Sequence, residues 1–574
     1  MYTETILNMP AGMWALEFTV VGPTETLDTL ISLDAADYTL TVTQLPQYVC
    51  LQISTYIETE NPRFPDRHWF DFTLDARETG THYRVEWLES VIRLYVDGKL
   101  MDEEWPLGQP VQGECTFTCS PAVRDLRVTA LSKRPAEEDI SLPCPAQFYM
   151  PPYHNASVGD CMPFVSGGRY RLVHLFDRRH HQSKSRLGAH QWAQISSDNL
   201  VDWTLHPMTI GIDEQWEGSI CTGSMIEYNH KIYAFYAVRM SDGSPAKLSW
   251  AVSEDGVHFE KSRQYFTLTA PYEPTSARDP KVFKDPDGLY HMLVTTSIMD
   301  GRTRPGCLAH LTSRDLTNWE QHEPFIVPGY PGQPECSDYF EWNGIYYLSF
   351  ANHLNARYRI SKNPFGPWER PVDDIVVSPN LAVPKMANFN GRCLVSGWLG
   401  DGGWGGWAIT FELYQRKDHS LGVKYVEEMM PKLSFPALRP VCADAADGYA
   451  ECALTDCSDS FRIRGTVSLD QSAVGELILN FGGNEYRIAF DPLEKTVSFT
   501  EPKDRPLDVN ARSRLINVEG MDKPFDIDLI VYGKILMLLL PDGRLLLPSR
   551  LEHSGACSLS IACRDGKMTF MPHN

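Results

Sequence analysis

The chain is 574 residues long, enough for two to four domains of roughly 100–200 residues each. Its 43% apolar and 22% charged residues give the balance of a folded globular protein, not a disordered one. With 52 basic against 74 acidic residues the net charge is −22, which argues against a nucleic-acid partner, because phosphates are held by clustered Lys and Arg.

The amino-terminal sequence Met1-Tyr-Thr-Glu-Thr-Ile has neither the basic region nor the apolar core of a signal peptide. The longest strongly apolar run, Ile535 to Leu540, is far too short to span a bilayer. A cytoplasmic protein with no membrane partner is expected. Fourteen cysteines in such a chain read as free, mostly buried thiols; no CxxC pair occurs, and no metal or cofactor is expected.

Gly and Pro, 40 of each, suit a turn-rich, all-β chain. Residues 1–133 read as short alternating strands, such as His82–Trp87 and Ile92–Val96 followed by the turn Asp97-Gly98, and predict a β-sandwich-like module. The acidic, proline-rich run from Arg134 to Pro145 predicts a linker over 134–150. A second proline-rich joint, Pro431 to Pro440, precedes another strand-rich segment, 441–574, with its own Asp542-Gly543 turn, read as a second β-sandwich.

Between the joints the sequence repeats. Five times a turn leads into an aromatic strand: Gly168–Phe176, His230–Tyr236, Gly288–Val294, Gly344–Phe350 and Gly391–Ser396. Four times a Ser-rich turn closes on an aromatic residue: Ser197 to Trp203, Ser253 to Phe259, Ser313 to Trp319 and Ser361 to Trp368. The closing aromatics recur at intervals of 56, 60 and 49 residues, which predicts a five-bladed β-propeller over 151–430.

The repeat also aligns carboxylates. In the presumed innermost strands of units one, three and four, Asp160, Asp279 and Glu335 each stand four residues before an aromatic (Phe164, Phe283 and Tyr339). Innermost strands surround one channel, so the three should converge, and crowding with desolvation should raise at least one pKa. Cys161 and Cys336 directly follow two of them and, by strand alternation, should point away from the channel into packing. Around the mouth, Gln182, His190 and Trp192 are candidates for a substrate-binding rim, ahead of a metal site, because adjacent His180 and His181 would point apart. Trp404, in Asp401-Gly-Gly-Trp-Gly-Gly-Trp407, is a candidate aromatic platform for a substrate.

The central segment resembles glycoside hydrolase family 32, the invertase and fructan-hydrolase family, whose members have a five-bladed propeller followed by a β-sandwich. Ala277-Arg278-Asp279-Pro280 is similar to the family's Arg-Asp-Pro motif, Glu335-Cys336 to its Glu-Cys motif, and Cys221-Thr-Gly223-Ser224 to its Phe-Ser-Gly-Ser segment. The run Trp192 to Trp203 is similar to its Trp-Gly-His-Ala element, with Gln194 in place of the usual His. The nucleophile motif is atypical: Asp160 stands in Val-Gly-Asp-Cys-Met-Pro, where the family has Asn-Asp-Pro-Asn-Gly. The N-terminal module lies outside the common pattern. The resemblance implies a retaining hydrolase of terminal β-fructofuranosyl linkages, with a small fructoside as partner, Asp160 as nucleophile, Glu335 as acid/base and Asp279 as transition-state stabiliser. Arg278, Gly223 and Ser224 join the substrate-binding candidates. Glu335 is the better acid on chemical grounds too, since Glu ionises about 0.4 units above Asp. Two other readings stay open: an inverting propeller glycosidase similar to family 43, acting on arabinosides or xylosides, and a non-catalytic carbohydrate-binding protein. The N-terminal module is free to bind glycan, shape the channel mouth or join subunits of a homo-oligomer.

Overall fold

The computed structural model describes residues 1–573 except 22–25, 36, 57–66, 76–79, 90, 107, 134–137, 143–145, 154–155, 179–189, 215, 241, 300–302, 354 and 503–513. The protein is all-β. Among the described residues the helical structure amounts to two single 3₁₀ turns, Glu427–Met429 and Pro541–Gly543.

The N-terminal segment forms two antiparallel sheets, of six and five strands, that share one apolar core. Strict alternation places Tyr38, Leu40 and Val42 inside and the intervening threonines outward along Tyr38–Gln44. The Asp97-Gly98 turn adopts positive φ at both residues (49° and 79°), as a tight hairpin between Val91–Val96 and Lys99–Glu104 requires. Leu88, Val91 and Trp105 leave this core and enter a second one, with Val173, Leu175, Trp192 and Ile212 of the central segment. The segment is thus joined to its neighbour by a continuous apolar contact. Within the expected linker, Ile140–Ser141 pairs with Thr204–Leu205 as a short added strand.

Five antiparallel units follow, each beginning with the strand expected to be innermost: Ala156–Ser166, Glu217–Tyr228, Arg278–Lys284, Glu335–Trp342 and Ala382–Phe389. Each of these first strands contacts the next, and the fifth contacts the first, so they form a closed ring. The first and last units share a single sheet, joined at Val158 and Gly406. The predicted aromatic strands are all present as second strands, for instance Lys231–Met240 and Ile345–Asn352.

The recurring Ser turn has a physical basis. Ser197, Ser253 and Ser313 each accept a hydrogen bond through Oγ from the backbone N–H three residues on, at 2.8, 2.8 and 2.9 Å. Asn199, Asp255 and Asp315 then accept two further N–H groups each through Oδ1. Side chains thereby satisfy backbone donors in a chain reversal that lacks ladder partners, and the turn repeats because its need repeats.

The remaining segment folds into a ten-stranded sheet system from Val441–Cys457 to Cys557–Pro572 around its own core. Ile530, Ile535, Met537 and Leu545 pack against Phe411, Leu413 and Val423 of the last unit. The thirteen cysteines among the described residues are all free.

Candidate active site

The five first strands share one irregularity. Each carries one extra residue relative to its second strand at a like place, between Val158 and Cys161, Ile220 and Gly223, Arg278 and Lys281, Glu335 and Asp338, and Ala382 and Lys385; unit two has another between Glu217 and Ser219. Such a bulge bends the strand and interrupts the alternation of side chains. The carboxylates sit at staggered positions within it: Glu335 just before the bulge, Asp279 as its first residue and Asp160 as its second. The expected equivalence, counted back from the aromatics, is therefore off by one residue per unit. Convergence nonetheless occurs, because the bulge turns successive residues towards the same space.

One residue ties the group together. The Cys336 backbone N–H donates to Asp279 Oδ2 (3.0 Å), and its thiol donates to Asp160 Oδ2 (3.1 Å). Glu335 precedes it in the chain and accepts from Arg278 Nη2 at 2.7 Å. Arg278 Nε also lies 3.6 Å from Asp279 Oδ2. The expectation that Cys336 points away from the channel is thus corrected: a φ of 50° inside the bulge breaks the alternation and brings the thiol inward. Cys161 does pack in the core, its thiol 3.6 Å from the Gly159 carbonyl. Asp279 has a φ of 55°, in the left-handed region that non-glycine residues seldom adopt, a strain found preferentially at functional sites.

Asp160 is held from three directions. Thr222 Oγ1 donates to Oδ2 at 2.6 Å, Cys336 Sγ to the same oxygen, and Trp398 Nε1 to Oδ1 at 3.0 Å. These donors fix the carboxylate's rotamer while leaving the residue only half-buried. Arg278 is anchored by its own bonds to the Gln333 side chain (2.5 Å) and the Ser276 carbonyl (2.8 Å). Gln333 is held in turn by Ser276 and Ser297. Burial raises the Glu335 carboxyl above the ordinary glutamate range; the Arg278 guanidinium opposes that shift, and the Asp279 and Asp160 carboxylates reinforce it. Its side chain still keeps 37% of its surface open, so a substrate atom can reach it.

Two of the candidates around the mouth, His190 and Trp404, lie together. Trp404 stacks on His190 with ring centroids 4.4 Å apart and tilts against Trp398 at 5.6 Å. The Trp404 ring also lies against Gly159, the residue before Asp160. These rings form an aromatic wall beside the carboxylates. The wall hangs on the glycine-rich loop, which Asp401 ties to Arg550 of the C-terminal segment by an ion pair.

Trp192 and two further substrate-binding candidates, Gly223 and Ser224, serve packing. Trp192 is fully buried, its indole bonded to the Cys221 carbonyl, and packs in the core shared with the N-terminal segment. Gly223 is required by packing: a Cβ there would lie 1.9 Å from the Phe235 carbonyl oxygen. Ser224 clasps two neighbouring strands, donating to the Pro280 carbonyl and accepting from Val282 N–H. Their side chains are absorbed by the fold. Gln182 lies outside the described residues. Sequence reasoning did not find Thr222, Gln333 or Trp398. Thr222 alone left a signal, since it stands four residues before Ile226 in unit two as Asp160 stands before Phe164 in unit one.

Residues 163–362 match the model of the family described as "Glycosyl hydrolases family 32 N-terminal domain". This stretch is a family 32 glycoside hydrolase domain. The family 32 match begins just after Asp160, in keeping with the unusual sequence around that residue. The chain is 25% identical to sucrose-6-phosphate hydrolase of Escherichia coli over 234 residues, 38% of this chain and 47% of the relative. It thus spans about half the length of that curated relative. In fold it is similar to the Bombyx mori GH32 beta-fructofuranosidase (17% identity, TM-score 0.55, covering 75% of this chain and 94% of that one). It is also similar to a glycoside hydrolase family 32 structure from Bifidobacterium adolescentis (12% identity, TM-score 0.53, covering 100% and 99%). The latter alignment includes the N-terminal segment, so that segment has a counterpart among solved family 32 folds.

Proposed function

We propose that the protein is a retaining β-fructofuranosidase-type glycoside hydrolase that removes a terminal fructosyl unit from a small fructoside. The observation that carries the reading is the meeting of Asp160, Asp279 and Glu335 around Cys336 in a family 32 domain. Asp160 attacks the anomeric carbon as the glycosidic C–O bond breaks, and Glu335 gives its proton to the leaving oxygen. The released Glu335 carboxylate then takes a proton from water, which attacks the anomeric carbon of the ester and frees Asp160. Asp279 accepts hydrogen bonds from sugar hydroxyls, and Arg278 orients Glu335. Trp404, Trp398 and His190 supply a flat apolar face for the sugar ring.

The architecture read with this function is a five-bladed propeller over 151–430 between an N-terminal β-sandwich (1–133, with a linker to 150) and a C-terminal one (441–574). The closed ring of first strands supports it. A cytoplasmic site of action fits the free thiols; no helix among the described residues is long and apolar enough to cross a membrane.

The test is Glu335→Gln, assayed on sucrose, inulin, levan and arabinosides with product stereochemistry followed by NMR. Hydrolysis of fructosides is expected to disappear while sugar binding persists, and wild-type product should appear first with retained configuration. Undiminished turnover by the variant removes Glu335 from the mechanism; inverted product removes the covalent step.

A further inference from the structure

We propose a second ligand site, for a phosphorylated hexose-sized metabolite, in the cleft between the last two repeating units and the C-terminal segment. A cavity of about 830 Å³ opens there, within the range of small-molecule sites. Arg357, Arg370, Arg416, Arg514 and Arg544 line it, against two acids, Asp373 and Asp374. Among the described residues the lining therefore carries three positive charges in excess, in a protein whose net charge is −22.

Internal pairing leaves this excess in place. Asp374 is already shared by three guanidiniums, those of Arg357 (2.8 Å), Arg370 (2.9 Å) and, from behind the wall, Arg359 (2.9 Å). All three also gather over the Tyr330 ring. Arg357 Nε is buried with no hydrogen-bond partner among the described residues. Asp373 is matched by Arg544 at 3.0 Å. Arg416 spends its donors on the Asp542 and Leu421 carbonyls, which neutralise no charge. Arg514 makes no ion pair among the described residues and stands exposed at the cavity. Gathering several cations around one cavity is costly without an anion, and planar guanidinium forks match phosphate oxygens two at a time.

A neighbouring cavity of about 600 Å³ gives an internal comparison. It shares Arg370, Arg416 and Arg544, but its acidic lining (Glu369, Asp373, Asp418, Glu519 and Asp542) outnumbers its cations. Of these two cavities, the first alone carries excess positive charge among its described lining residues. None of the five arginines touches Asp160, Asp279 or Glu335, so the site is separate from the carboxylate cluster.

The test is calorimetric titration of the full-length protein at low ionic strength with glucose 6-phosphate, inorganic phosphate and glucose. Saturable binding is expected for glucose 6-phosphate, weaker binding for inorganic phosphate, and none for glucose. Phosphate binding as tight as that of the hexose phosphate would overturn the hexose-sized assignment. Arg370 and Arg514 are exposed, so the double variant R370Q/R514Q should fold, which its thermal transition checks. It should weaken glucose 6-phosphate binding by about tenfold or more. Glu335→Gln should leave that affinity unchanged. Absence of saturable binding to the wild type, undiminished affinity in the double variant, or loss of binding in Glu335→Gln would each overturn the proposal, the last by placing the phosphate at the carboxylates.

Discussion

Replacing Gly159 with alanine tests whether the aromatic wall works as a unit with Asp160. An ideal Cβ at Gly159 would lie 2.2 Å from Trp404 Cη2, 2.8 Å from Cζ2 and 3.0 Å from Cζ3. Carbon atoms pack at about 3.5–4 Å, so the indole must retreat by roughly 1.3–1.8 Å. That movement forfeits the stack on His190 and the contact with Trp398. Each such pair is worth about 0.5–1.5 kcal/mol, so about 1–3 kcal/mol of positioning is lost, or about 5- to 150-fold in kcat/KM. The assay is fructose release by wild type, Gly159→Ala, Trp404→Ala and the double variant. Because removing the indole removes the obstacle, Gly159→Ala should cost nothing in the Trp404→Ala background. A penalty that persists there, or full activity in the single variant, refutes the reasoning.

Four further outcomes are expected. A general acid must be protonated, and burial raises Glu335, so the alkaline limb of the pH profile of kcat/KM should lie above the position set by an ordinary glutamate. Since Arg278 pulls that pKa down, Arg278→Gln should move the limb to still higher pH as it lowers the rate; a limb moving to lower pH would contradict the assignment. Trp105→Ala should cost about 3–5 kcal/mol in urea unfolding, because the indole is fully buried in the core shared with the central segment; a loss below about 1 kcal/mol would mean that contact contributes little. Arg550→Ala frees the Asp401 loop that carries Trp404, so KM should rise about fivefold, for a loss near 1 kcal/mol, with little change in kcat; an unchanged KM would show that the loop needs no such tether.

Much of this arrangement was legible in the sequence, for a reason visible at single residues. The Ser and Asp or Asn side chains that cap the turns must be supplied by specific residue types at fixed offsets, so the capped turn writes itself into the chain three times. The aromatic second strands follow the same logic of repeated burial. The bulge does not. It is a backbone event, one extra residue accommodated against the second strand, and it leaves no compositional mark. Alternation counted through it therefore sent Cys336 to the wrong side. Trp192 misled for a different cause: an aromatic beside polar residues at a strand start fits a rim or a core equally well, and only the arrival of Leu88, Val91 and Trp105 decides for the core. Trp398 and Gln333 reach the site from other strands or connecting segments, a relation that exists only once the ring has closed.

The stagger of the carboxylates explains how one repeated backbone device yields different chemistry in each unit. Five first strands slip by the same single residue, yet the site's acidic groups come from three. At the second bulge position, unit one places Asp160 and unit two places Thr222, and the two meet as acceptor and donor at 2.6 Å. At the first position, unit three places Asp279 and unit four places Cys336, whose backbone N–H donates back to Asp279. Neighbouring units thus occupy like positions with complementary groups, so each carboxylate is oriented by its counterpart next door. A substitution at one bulge should accordingly be felt most at the same bulge position of the adjacent unit. Thr222→Val would release one of the three donors on Asp160 while leaving the Asp279–Cys336 pair intact, and its loss should appear in kcat, with the binding of uncleaved sugar by Glu335→Gln unaffected by the added change.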